Sequence, residues 1–328
     1  MIGWLVLMAC TMDSEIHRQS EVDVFLQEPT SEVDVLWVVD NSVSMASEQE
    51  RVAAGFATFA ASLEASNVEA HIGVISTDME PDNPERAMLV GDPPVLERVL
   101  DADALFAERV QLGIDGSGKE KGIAAAIAAV SEPLVSGANA GFVRPDATLL
   151  LVFVSDEDDC SDGDALYDEP PEACYTQPEA LVPVEDLHRE LVEARAGAPV
   201  LAAGLLGPPG DTCPKAWHGA RYEALIEATG GIVGDICTQD YAELFDALGL
   251  SVSEVRTVFQ LSYAAVEETL EVAVGDELVP EDPVLGWTYD PDFALIRFDG
   301  KYVPPRGSTV SVTYEVGHGG SVPDAELD

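Results

Sequence analysis

The sequence predicts an α/β fold: a doubly wound, mostly parallel sheet followed by a small C-terminal antiparallel β domain. Three observations carry this. Residues 33–39 (VDVLWVV) and 148–154 (TLLLVFV) are Val- and Leu-rich runs, the pattern of strands buried on both faces of a parallel sheet. From residue 33 to about 250, strand-like runs alternate with helix-like ones, as βαβ units require. From about residue 256 helical spacing stops, and short β-forming runs are separated by turn residues.

Taken in order, residues 11–32 are polar and without strong periodicity, which suits a tether. Residues 33–253 form the α/β domain. Its first strand, 33–39, is followed by a helix at 48–63, where Val52, Phe56, Phe59 and Leu63 recur at helical spacing. Residues 69–76 (EAHIGVIS) read as a strand, and 87–109 as a short edge strand and a helix. An Ala-rich helix spans 118–130, and the central strand spans 148–154. Residues 156–183 form an acidic insertion with four prolines. Then come a helix at 184–194, a strand at 199–206, a helix at 221–228, the last strand at 231–236 and the last helix at 241–248. In the β domain, 254–320, strand-like runs at 258–263, 269–274, 294–298 and 309–316 suggest a sandwich. Residues 321–328 form a tail.

With 328 residues, 47% of them hydrophobic, the chain is long enough for one large core and a smaller second one. Its net charge of −45, from 61 acidic and 16 basic residues, opposes binding to nucleic acid, which needs clustered Lys and Arg. The same charge favours cations and solubility, and it costs stability through self-repulsion.

Five cysteines divide into Cys10 and a set of four: Cys160, Cys174, Cys213 and Cys237. The four lack Cys-x-x-Cys spacing and neighbouring His pairs, which argues against zinc and for disulfides in an oxidising compartment. Three connectivities are open. Local pairing, Cys160 with Cys174 and Cys213 with Cys237, would staple the acidic insertion and tie a loop to the last strand.

The candidate site is built from strand ends. Asp40-x-Ser42-x-Ser44 follows the first strand, Asp156 follows the central strand, and Ser117 lies in the Gly-rich loop 112–122 that opens the Ala-rich helix. In open α/β sheets ligands bind beyond the carboxyl ends of the strands. Carboxylates with hydroxyls suit a hard divalent cation.

These motifs resemble the von Willebrand factor type A domain with its metal-ion-dependent adhesion site. The family places Asp-x-Ser-x-Ser after the first strand, a Thr or Ser five residues before a Gly-Ile/Leu helix start, and an Asp after the fourth strand. Asp40, Ser42, Ser44, Ser117 and Asp156 match in turn, with Ser117 where Thr is more common; the resemblance covers residues 33 to about 250. It implies magnesium, or manganese or calcium, held by these five residues. One coordination position would stay open for an acidic side chain of a protein partner.

Residues 1–10 are apolar and close on Leu7-Met8-Ala9-Cys10, which resembles the lipobox of bacterial lipoproteins. The resemblance implies a signal-like segment cut before Cys10, acylation of that thiol, and anchoring in the cell envelope. The absence of Asp at Thr11 implies the outer membrane of a diderm cell. No Lys or Arg precedes the apolar run, a departure from the usual signal.

Other motifs are weaker. Residues 113–120 approach the phosphate-binding loop, but Glu120 stands where that loop needs a hydroxyl, which speaks against a nucleotide. Residues 158–169 resemble part of a calcium loop, with Cys160 where an oxygen ligand belongs. His17, His71, His188, His218 and His318 are scattered, and neither His-Glu-x-x-His nor Gly-x-Ser-x-Gly occurs, so no enzyme is expected. The expected function is a cell-envelope lipoprotein that binds a protein partner through a divalent metal. The alternatives are a metal-stabilised structural or sensor module without a direct ligand, and a metal-dependent hydrolase using metal-bound water.

Overall fold

The computed structural model describes residues 19–27, 32–65, 68–97, 102–196, 198–210, 213–251, 257–298, 300–305 and 307–317. The segment ending at Cys10 and the tail at 321–328 lie outside these. Among the described residues no helix is long and apolar enough to cross a membrane.

The α/β body is a parallel five-stranded sheet in the order β3-β2-β4-β5-β6. Its strands are β2 (Glu32–Val39), β3 (Glu69–Ser76), β4 (Thr148–Ser155), β5 (Val200–Leu206) and β6 (Val233–Asp235). Alternation along β2 feeds two cores. Val33, Val35, Trp37 and Val39 face α1 (Ala46–Ala65), α2 (Asp103–Val110) and α7 (Ala242–Ser251). Trp37 is boxed there by Phe59, Phe106 and Phe245, with ring centroids 5.6, 5.1 and 5.4 Å away. Leu36 and Val38 face α3 (Gly122–Ala129), α5 (Val184–Ala194) and α6 (Ala220–Thr229). A strand buried on both faces needs apolar residues at consecutive positions, which is why β2 and β4 read as unbroken runs. The expected edge strand near residue 90 shrinks to a single antiparallel bridge between Ile72 and Leu96.

Two antiparallel sheets form the second region. One has the order β1-β12-β8-β9 and the other β10-β11-β7. Their strands are β1 (Ser20–Leu26), β7 (Val258–Gln260), β8 (Glu271–Val274), β9 (Glu277–Val279), β10 (Thr288–Asp290), β11 (Leu295–Arg297) and β12 (Thr309–Glu315). Phe259, Ile296 and Phe298 from one sheet pack with Val272, Val310, Val312 and Tyr314 from the other, so the pair is a small sandwich.

Two expectations are corrected. Residues 20–26, read as part of a polar tether, pair along their whole length with β12, from Ser20 opposite Glu315 to Leu26 opposite Thr309. Asp23 secures this pairing by accepting from the Tyr314 hydroxyl at 2.7 Å, and Phe25 packs on Phe259 at 5.3 Å. The β region is thus built from both ends of the chain. The Ala-rich helix starts at Gly122 rather than residue 118, because Glu120 is held in an antiparallel bridge with Asp78.

Candidate functional site

The first turn of the site is local chemistry. The Asp40 N–H donates to the Val154 carbonyl at 2.9 Å, tying the end of β2 to β4. Asp40 Oδ1 then accepts the Ser42 N–H at 2.7 Å, an Asp-centred turn that lifts the chain off the sheet toward α1. Gln49 of α1 donates to the Asp40 carbonyl and to the Gly113 carbonyl, both at 2.9 Å, which clamps the strand end to the Gly-rich loop.

A chain of oxygens runs across the sheet edge. Ser42 Oγ lies 3.1 Å from Ser44 Oγ, and Ser44 Oγ donates to Asp156 Oδ1 at 3.0 Å. On the other side, Ser155 Oγ donates to Asp40 Oδ2 at 2.7 Å and accepts the Glu157 N–H at 3.0 Å. Four of the five residues singled out by sequence therefore meet, directly or through one another. Ser117 is brought close by its neighbour, since the Gly116 N–H donates to the Asn41 carbonyl at 2.9 Å. Its own Oγ accepts the Lys119 N–H at 3.0 Å, and no bond joins it to the other four. A Cβ on Gly116 would lie 2.2 Å from Asn41 Oδ1, so a larger residue there would have to push the Asn41 side chain aside.

Two acids complete the site without having been expected there. Glu120 is buried, accepts the Thr77 hydroxyl through Oε2, and keeps Oε1 buried without a hydrogen-bond partner. Glu157 flanks Asp156. Burial raises the carboxyl pKa of Asp40. Burial and the neighbouring Asp40 charge raise Glu120 well above the usual carboxylate range. Asp156 is pushed up to about 7 by burial and then by Asp40, and Glu157 to about 7 by burial, Asp40 and Asp156. The charges that raise Glu120, Asp156 and Glu157 beyond burial are those of neighbouring carboxylates. Only the alignment of Glu120 with the phosphate-loop pattern drew attention to it in the sequence, and its meeting with Thr77 depends on the β3 end.

The surrounding basic residues are engaged elsewhere. Lys119 Nζ donates to the Leu166 and Tyr167 carbonyls at 2.9 and 3.1 Å, and Lys121 pairs with Asp162 at 2.8 Å. Arg221 pairs with Asp159 at 3.1 Å. Asp159 and Ser161 accept the Ile123 and Ala124 N–H groups, each at 3.0 Å, capping α3 from a distant loop. Asp159 and Asp162 of the calcium-loop-like segment therefore serve as a cap and as ion-pair partners.

Both local disulfides are formed, Cys160–Cys174 and Cys213–Cys237. Cys213, Asp235 and Cys237 bring their ligand atoms within 4.8 Å of one another, but the bridge removes both thiolates as metal ligands.

No protein-family model matches the chain, and no curated protein matches it. Among solved structures, it is similar to proximal thread matrix protein 1 of the mussel byssus at 14% identity and a TM-score of 0.42, covering 73% of this chain and 51% of that one. It is also similar to the pilus adhesin SpaC of Lactobacillus rhamnosus GG at 12% identity and a TM-score of 0.41, covering 88% of this chain and 40% of that one. The open conformation of that adhesin gives 11% identity and a TM-score of 0.39, covering 92% and 40%. The chain thus spans about half the length of these proteins or less. At such scores the likenesses carry no argument about fold detail or function.

Proposed function

We propose that the chain is a von Willebrand A-like binding protein of the cell envelope. In this reading it holds a divalent cation at the β2–β4 edge and engages an acidic side chain of a protein partner there. The observation that carries the reading is a set of buried carboxylates, Asp40, Glu120 and Asp156, close enough that the Asp40 charge raises the other two. Buried charge of one sign is expensive unless it is compensated. The donor set, carboxylates and hydroxyls without thiolate or imidazole, fits magnesium, manganese or calcium.

Ser42, Ser44 and Ser117 would offer hydroxyl ligands, while Asp40 and Asp156 would ligate or hold ligand waters. When bound, the cation would supply a positive centre for a partner's carboxylate. The Ser155 hydroxyl and the Ser42 N–H orient Asp40, and Gln49 fixes the turn that presents Ser42 and Ser44. Glu120 favours a second reading, a metal-stabilised structural or sensor module, because an acid already inside the site competes with an external one for coordination.

The test is magnesium added to EDTA-stripped protein. The expected result is a raised melting temperature for the native sequence and no shift for Asp40→Ala. Equal stabilisation of both would overturn the metal assignment. Pull-down with and without EDTA separates the partner-binding reading from the structural one. Anchoring through Cys10 predicts that Cys10→Ser releases the protein from the membrane fraction, and a variant that still floats with membranes would refute it.

A further inference from the structure

Next to Asp156, two aromatic rings stand at the surface of a strongly acidic protein. Trp217 is 58% exposed and Tyr175 is 37% exposed, and their rings stack with centroids 4.7 Å apart. The Trp217 backbone N–H donates to the Asp156 carbonyl at 2.7 Å, so the pair borders the candidate site. Val43, next to Ser44, whose hydroxyl donates to Asp156, is 76% exposed.

Neither ring is there by accident of a loose loop. Tyr175 follows Cys174 of one disulfide, and Trp217 lies shortly after Cys213 of the other. The Trp217 backbone is pressed onto the end of β5, where a Cβ on Gly207 would lie 1.9 Å from the Trp217 carbonyl oxygen. Trp37 and Trp287 are buried, so Trp217 is the exposed indole among the described residues. Glu157 directly follows Asp156, whose carbonyl holds the Trp217 backbone at 2.7 Å, so the chain carries this acid to the edge of the stack. No ion pair to Glu157 is formed by any described Lys, Arg or His.

We propose that the Tyr175–Trp217 stack, with Glu157 beside it, is a subsite for an arginine side chain of the protein partner. A guanidinium is planar, stacks on aromatic faces, and is less strongly hydrated than an ammonium, so Arg fits this surface better than Lys. Charge complementarity commits the occupant. A chain with a net charge of −45 repels a partner that brings only an acid, whereas an acid accompanied by arginine is attracted. The inference deepens the partner-binding reading and rests on it for the partner's identity as a protein, but the arginine subsite needs no metal.

The test uses the full chain and follows Trp217 fluorescence during titration with N-acetyl-arginine amide and with N-acetyl-citrulline amide, which keeps the shape and lacks the charge. A saturable change is expected with the arginine probe in magnesium and in EDTA alike, with a preference over citrulline of about 2- to 30-fold. Tyr175→Leu and the milder Glu157→Gln are each expected to reduce that preference, with unchanged melting temperatures confirming that they fold. A twelve-residue peptide carrying one arginine and one glutamate is expected to bind more tightly than the amide. Equal response to arginine and citrulline, an unaltered preference in both variants, or a signal surviving in Trp217→Phe would overturn the subsite. A peptide no tighter than the amide would overturn the protein source. Failure of magnesium to enhance peptide binding, with the arginine preference intact, would sink the metal reading alone.

Discussion

Two halves of one acidic stretch behave in opposite ways. Asp156 and Glu157 face the β2–β4 edge, where Asp40 is also buried, and their carboxyl groups are pushed up to about 7. Only a few residues on, Asp159 meets Arg221 at 3.1 Å and Asp162 meets Lys121 at 2.8 Å. Burial alone would raise Asp162, but hydrogen bonds from Lys121 and the Leu166 N–H hold it below the usual range. Residue type and sequence neighbourhood are nearly the same in the two halves, and burial is shared. The difference is the cation. The second half has its positive charges built into the chain, and among the described residues no cation pairs with the first half, which is what a site for an external cation requires.

The largest effect is expected in the compensated half. Arg221→Ala strands the buried Asp159 and should cost about 3–5 kcal/mol, read from the urea midpoint. A smaller loss would mean that the pair is better solvated than its burial suggests. In the uncompensated half, Ser44→Ala interrupts the oxygen chain between Ser42 and Asp156. Magnesium affinity by calorimetry should fall by at least about tenfold with the fold intact, since losing even a residue that only supports a ligand costs that much. The smallest effect is a gain. Asp40→Asn removes a buried charge while keeping its shape, so in EDTA near neutral pH it should raise the melting temperature. Destabilisation in thermal melts would show that Asp40 is already compensated without a metal.

Much of this was legible in the sequence. Residues 69–76 and 184–194 match a strand and a helix to the residue, because their apolar spacing is set by the face they bury. Asp40, Ser42, Ser44 and Asp156 could be placed together because strand ends in a parallel sheet share one edge. β1 was hidden for two reasons. Its apolar residues Val22, Val24 and Leu26 face outward, opposite to the usual alternation, and its partner β12 lies at the far end of the chain. Glu120 was hidden because a buried acid looks like any surface acid until Thr77 and Asp40 are seen around it. The Tyr175–Trp217 stack joins two segments far apart in sequence, each beside its own disulfide, and neither spacing nor periodicity encodes such a contact.

The most direct test of the uncompensated site is the pH dependence of the melting temperature with and without magnesium. The ordinary values are 3.8 for Asp156 and 4.5 for Glu157, against about 7 for each in the fold. Between these limits the folded protein keeps protons that the unfolded chain has lost, so stability falls as pH rises through the window. Asp162, whose pKa is lowered, works the other way and loses its contribution only as the solution turns strongly acidic. In EDTA the melting temperature should therefore decline from about pH 5 to about pH 8, and magnesium should remove that decline by compensating the ionised carboxylates. The stabilisation by magnesium should be larger at the upper end of the range than at the lower. A melting temperature that is flat or rising in EDTA, or a magnesium effect no greater at high pH than at low, would contradict the account.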